Sequence, residues 1–420
     1  MRILVVGSGG REHAIIWKLA QSPKADQIYC APGNAGIAQI AECVPISATE
    51  IHKLSEWAYE HKIDLTIIGM DDPLMLGIVD VFQAKGLRVF GPKQNAAILE
   101  GSKVFAKDLM KKYNIPTAAY EVFDDADLAK KYLETCDYPV VLKADGLALG
   151  KGVLICQTKE EALEGTLEIM VEKKYGSAGI KMVVEEFMTG PEVSVLSFCD
   201  GEHLLPMVSA QDHKRAFDGD EGLNTGGMGT FSPSKFYTEE LAKDCYEKLF
   251  LPSLKAMKAE GRSFTGIIFF GLMLTPKGPK VLEYNARFGD PEAQVVLTRL
   301  KTDLVDVFEA AIDGKLDEIN LEWEASSSVC VVLASGGYPV AYEKGYEING
   351  LESQYGKEDI FVFHAGTAME NQKYVTNGGR VLGVTAIGKD IAEARTKAYE
   401  AVGKIHFEKK QFRTDIGIKI

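Results

Sequence analysis

The opening run RILVVGSGGREHAIIWKLAQ constrains the fold more than any other stretch of the chain. Ile3 to Val6 is an unbroken apolar run with β-branched residues, the pattern of a strand buried on both faces of a parallel sheet. Gly7, Gly9 and Gly10 break it, and Ile15, Ile16 and Leu19, with Trp17 nearby, give the next segment the apolar side of a helix. Further strand patterns follow at QIYCAPG, at LTIIG (Leu65 to Gly69) and at LRVFGP (Leu87 to Pro92), with helical patterns over Ile51 to His61 and Pro73 to Ala84. This alternation predicts an open parallel α/β sheet. Ligands of such sheets lie at the carboxyl ends of the strands, where PGNAG (Pro32 to Gly36) and GMDDP (Gly69 to Pro73) fall.

The first glycine turn has Glu12 where a dinucleotide fingerprint needs its third glycine, so NAD is poorly supported. Backbone N–H groups at a helix start, with Arg11 beside them, predict an anion site instead. A ligand-free turn is the alternative.

A second glycine cluster, PVVLKADGLALGKGV, reads differently. Val140 to Leu142 is a short buried strand that ends in Lys143, an ammonium costly to bury unless it meets an anion. Gly146, Gly150 and Gly152, with Lys151 among them, can turn tightly and bring backbone N–H groups against phosphate oxygens. The loop leads into VLIC, another strand, which excludes a Walker A loop. A hairpin with solvated lysines remains the competing interpretation.

Helices are predicted over Lys103 to Tyr113, Ala126 to Glu134 and Glu160 to Lys174. MVVEEFMTGPEVSVLSFCDG gives two strands around a loop; Glu185 and Glu186 end the first and Glu192 begins the second, and for Glu186 a solvated edge is the better reading. Ser209 to Pro233 is long, polar and glycine-rich with few core candidates, which predicts a closing substrate loop bearing Asp212, His213, Lys214 and Arg215. Phe264 to Leu274 and Lys280 to Asn285 form an antiparallel pair. Glu283 and Asn285, two apart on a strand, share a face and suit Mg2+, an ion that completes its shell with water and substrate oxygens. Arg287 and Asp290 follow in a turn, as an arginine fork for an anion or as a local ion pair. From about Glu324 the tail reads as a small α+β domain, with one helix over Ile391 to Lys404 and a further anion contact at Arg380.

A chain of 420 residues holds two to four domains, and 46% hydrophobic with 25% charged residues is ordinary for a globular protein. A net charge of -13 argues against binding nucleic acid or an anionic membrane. Seven cysteines without metal spacing fit reduced thiols, and no apolar run reaches membrane-spanning length, so a cytoplasmic protein is expected.

GSGGREHA, APGNAG, LEGSKVFAKDLM, VLKADGLALGKGV, VVEEFMTGPEVS, QDHKRAFDGD, NTGGMG, EYNARFGDPE, FHAGT and TNGGRV occur in that order, and the chain resembles the glycinamide ribonucleotide synthetases of the ATP-grasp superfamily nearly end to end. The resemblance implies an N-terminal α/β domain (1–101), a central ATP-grasp domain of two α+β subdomains (102–324, with a lid at about 117–188) and a C-terminal α+β domain (325–420). It implies that ATP activates glycine as an acyl phosphate, which the amine of 5-phosphoribosylamine attacks in de novo purine synthesis. Lys103, Lys143, Gly146, Lys151 and Gly152 are then expected at the ATP phosphates, Glu185, Glu186 and Phe187 at the adenine, and Glu192 at the ribose. Glu283 and Asn285 would hold Mg2+ or Mn2+, and Asp212, Lys214, Arg287 and Asp290 would surround glycine and the phosphoryl group in transfer. Gly9, Gly10, Arg11, Asn34 and Arg380 would meet the sugar phosphate, and the chain would act as a monomer on small molecules alone. Three departures stand out: MDDPL (Met70 to Leu74) replaces a PEAPL-like sequence, adding negative charge near a substrate edge, FFGLML (Phe269 to Leu274) lacks the metal-binding acid that several ATP-grasp relatives carry, and Leu149 stands where alanine is common, a neutral change of packing.

Overall fold

The computed structural model describes residues 1–147, 152–354 and 356–418. Strands β1 (Arg2–Gly7), β2 (Gln27–Pro32), β3 (Glu42–Cys43), β4 (Leu65–Ile68) and β5 (Val89–Phe90) form a parallel sheet in the order β3-β2-β1-β4-β5. The apolar run of β1 serves two cores, which is why it does not alternate with polar residues. Leu4 and Val6 pack with Ile51, Leu54, Ile78 and Phe82 on one face. Ile3 and Val5, on the other, join Leu196, Phe198, Phe288, Phe308, Cys330 and Phe363 in one continuous cluster. The three regions of the chain are therefore fused through shared apolar burial. The stretch predicted as one helix over Pro73 to Ala84 is two, Asp71–Met75 and Ile78–Ala84, separated by Gly77 in the left-handed region (φ 86).

Strands β6 (Tyr120–Phe123), β7 (Val140–Ala144), β8 (Val153–Cys156) and β9 (Met182–Glu186) make a small antiparallel sheet, β6-β9-β7-β8, over its own core of Ala129, Leu133, Leu142, Ile169 and Val184. Its helix Lys159–Thr166 runs on only as a π turn to Val171, short of the predicted Lys174. The chain then passes through β10 (Glu192–Asp200), β11 (Leu204–Pro206), four short strands β12 (Gln211–Asp212), β13 (Arg215–Phe217), β14 (Glu221–Asn224) and β15 (Gly229–Ser232), and the hairpin β16 (Thr265–Thr275) and β17 (Gly278–Asn285). β11, β10, β16 and β17 form a second antiparallel sheet. In its last pair Gly271 faces Glu283 and Leu272 faces Val281, so Leu282 is an extra residue bulged out of register.

The tail contributes β18 (Ser327–Ser335), β19 (Ile360–His364), β20 (Thr367–Glu370), β21 (Lys373–Thr376), β22 (Arg380–Gly388), β23 (Lys410–Gln411) and the helix Ile391–Val402. Its sheet, β12-β15-β18-β22-β19, takes two strands from the segment predicted to be a closing loop. Phe231 lies in the tail core and Met228 and Thr230 are buried, so much of Ser209 to Pro233 is fixed structure rather than a flap.

Two histidines fasten the tail to the first domain: the backbone N–H of His364 donates to His13 Nδ1 at 2.8 Å, and both side chains are buried. Burial lowers His13 to about 3, with His364 adding repulsion, and lowers His364 to about 4. An unfolded chain takes up these protons first as pH falls below about 6.5, so stability present above that value is lost toward pH 4. We expect the urea midpoint to fall from pH 7 to pH 5, by at most about 1.4 kcal/mol per pH unit per imidazole, and His364→Gln to flatten that slope; an equal slope in the variant would contradict it.

Candidate active site

The N-terminus of helix Lys103–Lys112 is tied to the end of β7 by Asp145: its Oδ1 accepts from Val104 N at 2.8 Å and from the helix-capping Ser102 Oγ at 3.0 Å. That cap sets Lys103 beside Lys143, and the Lys103 ammonium donates to the Gly146 carbonyl at 3.1 Å. Lys143, 4% exposed, lies 3.0 Å from Glu185 Oε1 and donates to the carbonyl of the bulged Leu282 at 3.3 Å. The lysine of the small sheet thus reaches the hairpin that carries Glu283 and Asn285. Lys214 closes the group, 3.0 Å from Glu283 Oε1 and 3.4 Å from Glu192 Oε2.

The charges act on one another strongly. Lys214 holds the Glu283 carboxyl down to about 2 against the effect of burial, with Lys143 and Lys103 adding to it. Burial opposes the charge on Lys214, but Glu283, Glu192 and Asp212 outweigh it and raise its pKa well above the ordinary value. Burial, with repulsion from Lys143, lowers Lys103 despite Glu283. Burial and neighbouring Glu292 push the Asp212 carboxyl well up, against Lys214.

A second cluster lies at the carboxyl ends of the parallel strands. Asp290 is 3.2 Å from Arg380 Nη2, accepts from Gln294 Nε2 at 2.7 Å, and packs behind Gly9 and Gly10. Burial raises its pKa but Arg380 and Arg11 more than compensate, leaving it low. Arg287 meets Glu100 at 2.8 Å and Asp71 at 3.9 Å, so the local Arg287–Asp290 pair expected as an alternative does not form. The charge of the MDDPL departure is divided. Asp71 lies against Arg287 and Arg11, which hold its pKa low against burial, whereas Asp72 is exposed.

Glu12 accounts for the broken glycine fingerprint. Its carboxylate accepts from Gly9 N at 2.6 Å and from Arg11 Nε at 2.6 Å, capping the helix Gly10–Leu19. A Cβ on Gly69 would lie 2.4 Å from its Oε1, and one on Gly7 2.5 Å from its Cγ, so both strand ends need glycine. The predicted anion site therefore already has one backbone donor, Gly9 N, committed to an internal carboxylate. Asn34 is saturated within the protein: it donates to Ser8 and His364 carbonyls and accepts from Gly36 and Ile37 N–H groups. Its side-chain amide is thus engaged on both its nitrogen and its oxygen within the protein.

Other expected residues divide. Glu185, 2% exposed, is engaged with Lys143 and Lys107. Glu186 is a surface acid 2.7 Å from Lys280, as its edge position implies, and Phe187 is 38% exposed at the same strand end. Gly146 and Gly152 flank the loop; Leu149, Gly150 and Lys151 lie outside the described residues. Sequence reasoning missed Lys107, Glu100 and Glu292; Asp71 lies in the MDDPL stretch it had marked. Only Lys107 had a local signal, one turn after Lys103 on the same helix face.

The residues fit a hard divalent ion only in company. Glu283 and Asn285 end one strand, but no group of three or more His, Cys, Asp or Glu that could hold a metal occurs among the described residues. A carboxylate and an amide oxygen leave most of the shell to water and phosphate oxygens, which is how Mg2+ binds beside a nucleotide.

Family models for phosphoribosylglycinamide synthetase match most of the chain: the N domain over residues 1–100, the ATP-grasp (A) domain over 101–293 and the C domain over 328–419. The phosphoribosylamine–glycine ligase of Halalkalibacterium halodurans is 51% identical over 419 residues, 100% of this chain and 97% of its own. That of Caldanaerobacter subterraneus is 51% identical over 417 residues, covering 99% of each. The crystal structure of the phosphoribosylamine–glycine ligase of Thermotoga maritima superposes with a TM-score of 0.87 at 37% identity, over 99% of this chain and 100% of that one. The sequence, the three-part α/β and α+β architecture and the clustered lysines and acids agree: this chain belongs to the phosphoribosylamine–glycine ligase family of ATP-grasp enzymes.

Proposed function

We propose that the chain joins glycine to 5-phosphoribosylamine at the expense of ATP, releasing ADP and phosphate, as a cytoplasmic monomer. The convergence of Lys103, Lys143 and Lys214 on Glu283 is the observation that carries this reading. Three ammonium groups brought from separate elements to one place suit a triphosphate. Glycine's carboxylate attacks the γ-phosphorus, ADP departs, and the carboxylate oxygen becomes part of a phosphate leaving group. The sugar amine then attacks the acyl carbon and phosphate leaves, forming the amide. Positioning and positive charge serve both steps better than a protein nucleophile would.

In this reading Lys103 and Lys143 hold the ATP phosphates, and Lys214 bridges from Glu283 to the γ-phosphoryl group. Arg287 and Asp290 grip the two ends of glycine. Arg11 and Arg380 face the sugar phosphate beside Gly9 and Gly10. Mg2+ or Mn2+ on Glu283 and Asn285 would neutralise phosphate charge when bound. Seven free thiols support a reducing compartment, and no helix of the described residues is long and apolar enough to cross a membrane.

Phosphate release from ATP should require both glycine and 5-phosphoribosylamine. Release that proceeds as fast with bicarbonate or formate in place of glycine would overturn the assignment.

A further inference from the structure

One buried group in the lysine cluster has no part in the reaction so far. Lys107, 3% exposed, lies 3.0 Å from Glu185 Oε2 and donates to Thr117 Oγ1 at 2.8 Å. Thr117 in turn donates to the Val281 carbonyl at 2.7 Å, one residue before the bulge at Leu282 whose carbonyl receives Lys143. A closed circuit therefore runs from β17 through Thr117, Lys107, Glu185 and Lys143 back to β17, and crosses between the two ATP-grasp sheets.

Two features of this circuit point to a ligand. Within it two buried ammonium groups share the one carboxylate of Glu185, and Lys143 is placed to turn to another anion. Its two halves also differ. Glu185 Oε1, the oxygen facing Lys143, is buried without a well-directed hydrogen bond although the ammonium is 3.0 Å away. Lys107 is held by the Thr117 hydroxyl, whereas the other anchor of Lys143 is the Leu282 carbonyl. Burial pulls Lys107 down to about 8, with Glu185 opposing it, so the Lys107 charge is tied to this carboxylate.

We propose that Lys107 is a positioning residue of the nucleotide site: anchored through Thr117 to β17, it keeps Glu185 paired and in place when Lys143 leaves that carboxylate for phosphate. Without Lys107, the departure of Lys143 would strand a buried carboxylate, and the penalty would fall on nucleotide binding. With it, Lys143 exchanges one anion for another while the hinge strand β9 stays fixed. This inference rests on the ATP site proposed above.

The test is a comparison of wild type with Lys107→Met, Lys107→Arg and Thr117→Val, by calorimetric titration with ATP and by steady-state kinetics. Lys107→Met should raise the ATP Kd and KM about tenfold or more, leaving the glycine KM within about twofold. Lys107→Arg should recover most of the affinity, and Thr117→Val, which cuts the anchor but keeps the ammonium, should fall between. A merely structural lysine would lower the melting temperature and move every KM together, and that result overturns the proposal. So does unchanged ATP affinity in Lys107→Met, or in Thr117→Val where the methionine variant does not fold. Wild-type protein that binds no ATP would overturn the functional assignment as well, whereas wild-type binding retained in the variants defeats this inference alone.

Discussion

Glu283→Gln is expected to lower ligase turnover about 10³-fold while the protein remains folded. The substitution keeps the side chain's volume and its place on β17, so it opens no cavity. It removes the carboxylate that lies 3.0 Å from Lys214 and that Lys143 and Lys103 also face. Three ammonium groups then lose their common anion, and the strand end loses the stronger of its two oxygen donors for a divalent ion. ATP itself can partly restore charge balance, so nucleotide affinity should fall less than turnover. Single-turnover formation of the amide product, followed beside the thermal melting curve, separates chemistry from stability. Near-normal turnover would defeat the proposed metal and phosphate geometry.

Arg287→Lys should cost about a hundredfold in kcat/KM for glycine. The guanidinium reaches Glu100 at 2.8 Å, Asp71 at 3.9 Å, the Phe288 carbonyl at 3.2 Å and Asn285 Oδ1 at 3.4 Å. A planar fork with five donors can span that set and still offer an edge to substrate; an ammonium is a point charge and cannot. Glu100 is most exposed to the loss. Burial already raises its pKa, with Arg287 the main opposing charge, so a weaker partner favours its protonation. The link to Asn285 means that the metal donor pair also loses support. Glycine dependence of initial rates, measured at saturating ATP, is the readout, and an unaltered glycine KM with unaltered kcat would remove Arg287 from the site.

The parts legible in the sequence were those that local patterns encode. Apolar runs marked β1, β4 and β7, and two-residue spacing put Glu283 and Asn285 on one face of β17. Lys143 stood out because a charge at the end of a buried strand requires an explanation. Partner choice was not legible. Arg287 and Asp290 are three residues apart and invite pairing, yet each is claimed from a distance, by Glu100 and Asp71 in one case and Arg380 in the other. Sequence spacing carries no information about contacts closed by folding across three domains. Asn34 looked like a ligand because it lies in a glycine-rich turn at a strand end; its amide is consumed by the turn itself and by the tail. The strands in Ser209 to Pro233 were hidden because they are two to four residues long, and β15, the buried one, is Gly-Thr-Phe-Ser and is covered by its neighbours rather than marked by apolar periodicity.

That β12 and β15 pair into the tail's sheet has a consequence for biosynthesis. A ribosome delivers the segment Asp212 to Lys214 well before β18 and β22 exist, and until those strands emerge β15 has only β12 beside it. Lys103 and Lys143 meet Gly146 and Glu185, which precede Asp212 in the chain, but Asp212 and Lys214 gain their sheet only with the tail. The fold around Asp212 and Lys214 is therefore completed only when the tail has been made.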